Sequence, residues 1–171
     1  RIVDTTGTES QLRNQLKVVH EATKHTASKN LGSVVTGDFI YGQQAPSWLQ
    51  TGALSKEVFE IIARLATGDA NEQLQSKLLS LIFMIGKLPT DTIASIGVKA
   101  TGDILADLLV EDLSEGSTEL RKRVPPQLEL LASQGTIMVL DSGGESEYRL
   151  QTQESSAWHD IYRQQEADIA G

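Results

Sequence analysis

The chain lacks cysteine, has few aromatic residues and contains no long apolar run. With no cysteine in 171 residues, it can form no disulfide, no thiolate metal site and no cysteine nucleophile, which fits a reducing compartment. The longest apolar run, residues 78–85, is interrupted by Ser80 and is far shorter than the roughly 18 residues of a membrane span. The sequence therefore predicts a cytoplasmic globular protein with no membrane contact, whose 39% hydrophobic content suffices for a core.

Basic residues are outnumbered by acidic ones. The chain has 23 Asp and Glu against 15 Lys and Arg, which gives a formal net charge of −8. A surplus of negative charge repels a phosphate backbone unless the basic residues are grouped on one face. The overall charge thus argues mildly against nucleic-acid binding.

The first third of the chain predicts one helix and a long connection. Thr8 and Gln11 have the spacing of a capping box before a helix over residues 9–28. Residues 30–52 then contain five helix breakers: Gly32, Gly37, Gly42, Pro46 and Gly52. We expect an irregular connection there with a short apolar element at residues 38–41, either packed on something outside the chain or acting as a linker.

Four further apolar periodicities predict helices. Ser55 caps the first of these, Thr101 caps the third, and Gly116 to Thr118 separates the third from the fourth. The apolar stripes are Val58, Ile61, Ile62 and Leu65; Leu74, Leu78, Leu81, Ile82 and Ile85; Ile104, Leu105, Leu108 and Leu109; and Leu120, Val124, Leu128 and Leu131. The pair Pro125-Pro126 lies inside the last stripe, so that helix is expected to kink or to begin again there.

A β-hairpin and a last helix complete the predicted elements. Residues 136–140 are apolar and partly β-branched, and residues 141–144 form a turn before the alternating pattern at residues 147–151. An amphipathic helix over residues 154–171 would place Trp158, Ile161 and Tyr162 on one side. That cluster is either a docking patch or the contact that attaches the helix to its own domain.

The order of these elements predicts a mainly α protein that contains a winged helix-turn-helix domain. Three helices with one apolar face each pack together, and a hairpin closes their open end. We expect a helical segment with a long loop over residues 1–68, the winged helix over residues 69–153 and the C-terminal helix over residues 154–171. The alternative is a helical bundle with an incidental hairpin. Winged helices serve as DNA readers, protein-docking modules or lids beside ATPase cores, so the fold does not choose the function.

Two motif-like patterns do not meet the requirements of their chemistry. His20 and His25 are five residues apart, so on a helix they point roughly 140° away from each other instead of sharing the face that a zinc site needs. Gly37 and Gly42 have the spacing of a phosphate-binding loop, but Gln43 and Gln44 follow where lysine and serine or threonine are required. The chain is therefore expected to hold no metal, no nucleotide cofactor and no catalytic residue.

The candidate for nucleic-acid contact is the run Arg121, Lys122 and Arg123, at the start of the helix in the recognition position. Helical geometry puts Lys122 opposite the apolar stripe together with Glu129, and puts the two arginines on the flanks. Between residues 101 and 150 there are ten acidic and four basic residues, a net charge of −6. The hairpin adds Glu145 and Glu147, where a DNA-binding wing has cations to meet phosphate. DNA binding and a protein-facing surface both remain open.

Four stretches of the chain resemble one family. They are residues 7–16 (GTESQLRNQL), 34–41 (VVTGDFIY), 97–113 (GVKATGDILADLLVEDL) and 148–158 (YRLQTQESSAW). Together they are similar to the large P-loop ATPases of the bacteriophage-exclusion (BREX) phage-defence systems, of the BrxC/PglY type. The resemblance runs through essentially the whole chain.

The resemblance implies that this chain is an internal piece of a longer protein. The chain begins at Arg1 without a methionine or a signal-peptide pattern, in keeping with that expectation. ATP and Mg²⁺ would then belong to the parent protein, and residues 1–66 would be the trailing part or lid of its ATPase core, where Arg13 is either a nucleotide sensor or an ordinary surface residue. The expected function is a non-catalytic module that couples nucleotide state to double-stranded DNA or to other defence subunits; the alternative is an interaction or oligomerisation module without nucleic acid.

Overall fold

The structure is a computed structural model that describes residues 8–88, 98–142 and 144–151. These ranges are mainly helical, with one small antiparallel hairpin. In chain order the elements are α1 (Thr8–Thr26), α2 (Gly37–Gln50), α3 (Lys56–Ala66), α4 (Ala70–Gly86), α5 (Gly102–Leu108), α6 (Thr118–Ser133), β1 (Ile137–Ser142) and β2 (Glu145–Leu150). None of the helices in these ranges is long and apolar enough to cross a membrane.

The segment predicted as a long irregular connection is instead largely helical. The expectation for residues 30–52 is wrong, because α2 runs from Gly37 to Gln50 and includes Pro46. Tyr41 and Trp48 are buried on this helix, and their rings lie 6.0 and 5.5 Å from the Phe83 ring of α4. Burial of these large aromatic groups outweighs the local cost of a glycine and a proline in an exposed helix face.

The next two helices begin at side-chain caps. The Ser55 hydroxyl accepts a hydrogen bond from the Val58 amide (3.3 Å) at the start of α3, as predicted. Helix α4 begins at a capping box that the apolar pattern alone does not reveal. Asp69 accepts from the Glu72 amide (3.0 Å), while the Glu72 carboxylate accepts from the Asp69 amide (2.8 Å).

Helix α4 forms the centre of the core. Its side chains from Leu78 to Met84 are buried all round, which is the behaviour of a helix enclosed by neighbours rather than one lying on a surface. Residues of α2, α3, α5, α6 and β1 belong to the same buried cluster as those of α4. The core is therefore continuous across residue 68, and the predicted boundary between domains at that position stays a prediction.

Helix α6 buries the predicted apolar stripe. Val124, Leu128 and Leu131 are almost fully buried, as expected from their spacing. Of the two outcomes expected at Pro125-Pro126, the restart is wrong, because one helix runs from Thr118 to Ser133, and the kink stays a prediction. Both prolines are exposed, so water can satisfy the backbone carbonyls whose helical partners they remove.

The hairpin joins the core beside the start of α5. Its register pairs Ile137 with Leu150 and ends with Ser142 opposite Glu145. The turn expected over residues 141–144 is therefore wrong at Asp141 and Ser142, which are paired residues of β1. Ile137 is buried, and the Tyr148 amide donates to the Ala100 carbonyl (2.9 Å). The predicted helix over residues 154–171, with Trp158, Ile161 and Tyr162, lies outside the described residues.

Candidate functional site

Arg121, in the first turns of α6, is held by carboxylates of α5. Asp103 and Asp107 are one helical turn apart and lie on the same face of α5. The Arg121 Nη2 donates to both oxygens of Asp107 at 3.0 and 2.9 Å, and Nη1 lies 2.7 Å from Asp103 Oδ2. The Nε atom also donates to the Ser117 hydroxyl (3.1 Å). Nη1, Nη2 and Nε of the guanidinium are thus each engaged within the protein.

The pKa values of this cluster follow from the pairing. The pKa of Asp107 is lowered, first by a hydrogen bond from the Ser117 hydroxyl and then by Arg121. The pKa of Arg121 is raised, chiefly by its hydrogen bonds to Asp107. Both groups are substantially exposed, so solvent screening keeps their contribution to the free energy of unfolding small. The main effect of the cluster is to cancel the positive charge at this end of α6.

Lys122, the second cation of the run, is also paired. Its ammonium lies 2.7 Å from the Glu119 carboxylate one turn earlier on α6, and this contact lowers the pKa of Glu119. Arg123 is exposed and makes no ion pair with any residue in the described ranges. The predicted recognition helix therefore presents one uncompensated cation instead of three.

The hairpin in the place of a wing is acidic. Glu145 is exposed beside the turn, and the Glu147 carboxylate accepts a hydrogen bond from Arg149 Nε (3.0 Å). Arg149 is the only basic residue in the two strands, which also carry Asp141. The Asp141 carboxylate itself accepts from the Gly144 amide (3.1 Å) and stabilises the turn. A phosphate approaching this hairpin would meet carboxylates.

The two histidines of α1 do not form a site. His20 and His25 are both exposed, and the His25 Nε2 lies 2.8 Å from the Lys29 ammonium while its ring lies 5.0 Å from that of Phe39. Within the described ranges, no group of three metal-ligating side chains comes together. Arg13 is exposed on the same helix.

The two glycines with phosphate-loop spacing lie in a helix. Gly37 is the first residue of α2, and Gly42 lies inside it. A phosphate-binding loop needs backbone amides that point into an open loop, whereas the Gly42 segment is helical and Gln44 is buried in the core. Residues 37–44 therefore do not fit a bound nucleotide.

No family model, curated protein or solved structure matches the chain.

The sequence did not predict that two polar side chains of α2 are buried. The Asp38 Oδ1 and the Tyr41 hydroxyl are buried without a hydrogen-bond partner in the described structure, and burial raises the pKa of Tyr41 to about 12. A buried polar group without a partner costs on the order of 1–3 kcal/mol. The only signal in the sequence was the apolar element at residues 38–41, which gives no indication that these oxygens are buried together.

Of the ion pairs made by Arg121 and Lys122, only the one made by Lys122 could be predicted from the sequence. The Lys122 pair with Glu119 follows from a spacing of three residues along one helix. The Arg121 pair with Asp103 and Asp107 depends on how α5 packs on α6, which the sequence does not give. Chemically, the arrangement makes the exposed face of α6 a mixed, nearly neutral surface.

Proposed function

We propose that the chain is a protein-docking module of the winged-helix type within a P-loop ATPase of the BREX phage-defence kind. In this proposal α6 and the hairpin contact partner subunits and couple them to the nucleotide state of the parent protein, and α6 does not read DNA. The observation that carries the proposal is the engagement of Arg121 by Asp103 and Asp107.

The order and packing of α4, α5, α6 and the hairpin support the winged-helix part. The three helices share one buried cluster, and Ile137 of β1 belongs to it. The hairpin contacts both α4 and α6, and the Thr101 cap of α5 faces Glu147 across an isolated bridge. A wing held at this end of a three-helix core is the arrangement expected of the family of folds.

The charges support docking on protein rather than on DNA. Binding to DNA gains most of its free energy from cations that replace counterions on phosphates. A guanidinium already held by two carboxylates brings those negative charges to the DNA with it. With Lys122 paired to Glu119 and an acidic hairpin alongside, the surface lacks the uncompensated positive charge that such binding requires. A mixed, nearly neutral face is typical of the rim of a protein interface.

The proposal that the parent protein is a P-loop ATPase rests on the family resemblance, and the upstream gene sequence tests it. We expect the coding sequence upstream of Arg1 to encode a phosphate-binding loop with glycine, lysine and serine or threonine at the required spacing. An upstream open reading frame that lacks such a loop would contradict the proposed parent protein. This test is independent of what α6 contacts.

Coupling is tested on the separately expressed upstream ATPase region. Its rate of ATP hydrolysis is measured alone and with a saturating amount of the 171-residue chain, in the absence of DNA. We expect the chain to change the rate, and a Glu129→Lys/Lys122→Glu exchange on the exposed face of α6 to leave this change intact, because in this proposal α6 faces the partner subunits, which are absent from the assay. An unchanged rate at saturation would contradict coupling to the ATPase region of the parent protein.

A further inference from the structure

A pocket lies between helices α2, α3 and α4. Its volume is about 320 Å³, which is at the lower end of the range for sites that bind small organic molecules. Phe59, Ile62, Ala63 and Ala66 of α3 provide an apolar wall. Ala63 and Ala66 are exposed, so a solute can enter from that side.

The two buried oxygens without partners belong to the lining of this pocket. Asp38 and Tyr41 both line it, and neither Asp38 Oδ1 nor the Tyr41 hydroxyl has a hydrogen-bond partner in the described structure. The Tyr41 residue is 6% exposed. Native proteins leave few buried polar groups unpaired, and each such group calls for an explanation, such as strain, a functional role or a bound water or ion.

The other buried polar groups of the lining are short of donors. The Ser76 hydroxyl donates to the Ile62 carbonyl (2.9 Å), and the Ser80 hydroxyl donates to the Ser76 carbonyl (2.9 Å). Each hydroxyl has a single hydrogen, so both oxygens can only accept a further bond. Lys77 also lines the pocket, but its ammonium lies 2.9 Å from Glu111, which compensates its charge. The buried lining therefore offers acceptors, one carboxylate and a single free donor, the Tyr41 O–H group.

We propose that this pocket binds a small organic cation, an ammonium or guanidinium group on an apolar stem. The cationic N–H groups donate to Asp38 and to the tyrosine oxygen, and the stem packs against Phe59 and Ile62. An anionic ligand would place its charge against Asp38, with the one lysine already paired. A free amine and the end of a partner protein's lysine or arginine side chain present the same chemistry.

The first test titrates the isotopically labelled full chain with three unbranched four-carbon probes: n-butylammonium, butyrate and n-butanol. Backbone amide shifts are followed by NMR. We expect saturable shifts with n-butylammonium at residues of α2, α3 and α4 that line the pocket, and weaker or no shifts with the other two. No saturable shift with n-butylammonium, or equal binding of butyrate, would overturn the proposal, since water alone would then satisfy the two oxygens.

The second test assigns the binding to the two oxygens. Asp38→Asn keeps the shape but removes the charge, and we expect it to weaken n-butylammonium binding roughly tenfold or more, as for a charge-assisted hydrogen bond. Tyr41→Phe removes only the hydroxyl and should cause a smaller loss, which keeps the test decisive if the first variant does not fold. Glu57→Gln is the matched control, because Glu57 is the first-turn acid of α3 and lies outside the pocket lining. Unchanged affinity in both Asp38→Asn and Tyr41→Phe would overturn the assignment.

A third comparison separates the two sources of the cation. N-acetyl-lysine-N-methylamide carries the same amine on a stretch of peptide backbone. Binding at least as tight as that of n-butylammonium would support a partner's side chain as the natural occupant, and exclusion of the lysine derivative would support a free amine. Either result is consistent with the cationic pocket, whose failure would leave the proposed role of α6 untouched.

Discussion

Arg121 Nη2 of α6 donates to both carboxylate oxygens of Asp107 of α5, at 3.0 and 2.9 Å. A planar guanidinium meets a carboxylate best in this forked geometry. The contact joins the two helices of the predicted helix-turn-helix, and it also neutralises the cation that would otherwise lead the recognition helix toward DNA. The residues that join α5 to α6 therefore weaken the DNA binding expected of these two helices.

The pairing predicts a dependence of stability on pH. Because the pKa of Asp107 is lowered in the folded state, its contribution is fully present above the unfolded value of about 3.9 and is lost as pH falls through the lower folded value. Glu111, whose pKa is lowered by Lys77, acts in the same direction. We expect urea unfolding to show stability falling with acidity below about pH 4, and Asp107→Asn to flatten that fall.

The control for this experiment is Glu57→Gln, which changes an exposed carboxyl that makes no ion pair with any residue of the described ranges. This variant should show the same fall of the free energy of unfolding with acidity as the unmodified chain. A slope as steep in Asp107→Asn as in the unmodified chain would show that the Arg121 contact is not maintained in solution.

The inward face of α6 is tested by a pair of leucines two residues apart. Leu128 is completely buried, whereas Leu130 is 44% exposed. Truncation of a buried leucine leaves a cavity and costs about 2–5 kcal/mol, so Leu128→Ala should lower the free energy of unfolding by that amount. Leu130→Ala should change it by less than about 1 kcal/mol. Equal losses at the two positions would contradict the orientation of α6.

The helical assignment of α2 is tested by two glycines. A Cβ added at Gly42 meets nothing within 4 Å, and Gly42 lies inside the helix, so Gly42→Ala should stabilise the chain by roughly 0.5–1 kcal/mol. A Cβ added at Gly37 would lie 2.5 Å from Leu81 Cδ2, and Leu81 is buried. Gly37→Ala should therefore destabilise it by about 1–3 kcal/mol. Thermal or urea unfolding distinguishes a stabilised variant from a destabilised one. A destabilised Gly42→Ala variant would favour the irregular connection expected over residues 30–52.

Elements whose signals are local could be predicted from the sequence. Ser55 and Thr101 cap helices as their positions indicate, and the hairpin forms where the sequence predicts it, although Asp141 and Ser142, which were expected in the turn, are paired residues of β1. Helix α6 follows from the spacing of its buried residues, although Pro125-Pro126 suggested a break. At these prolines the backbone carbonyls that lose their helical hydrogen bonds face water, so the packing of Leu128 on the buried side of α6 keeps the helix continuous.

Elements that depend on distant residues could not be predicted. Gly42 and Pro46 indicated a loop, but Tyr41 and Trp48 gain more by packing on Phe83 of α4 than the two breakers cost locally. The buried pair of oxygens in the pocket arises in the same way, from how α2 meets α4. The partner of Arg121 likewise belongs to another helix, and no sequence spacing identifies it.

The most direct test of the proposed role of α6 is a titration of labelled duplex DNA with the full chain at about 50 mM and at physiological salt, where binding by phosphate contacts differs steeply. We expect no saturable change in anisotropy at either concentration. An Asp103→Asn/Asp107→Asn variant, which releases Arg121, should gain weak binding at the lower salt. Saturable binding by the unmodified chain at low salt, weakened by Arg121→Ala, would contradict a protein-docking role and favour DNA reading by α6.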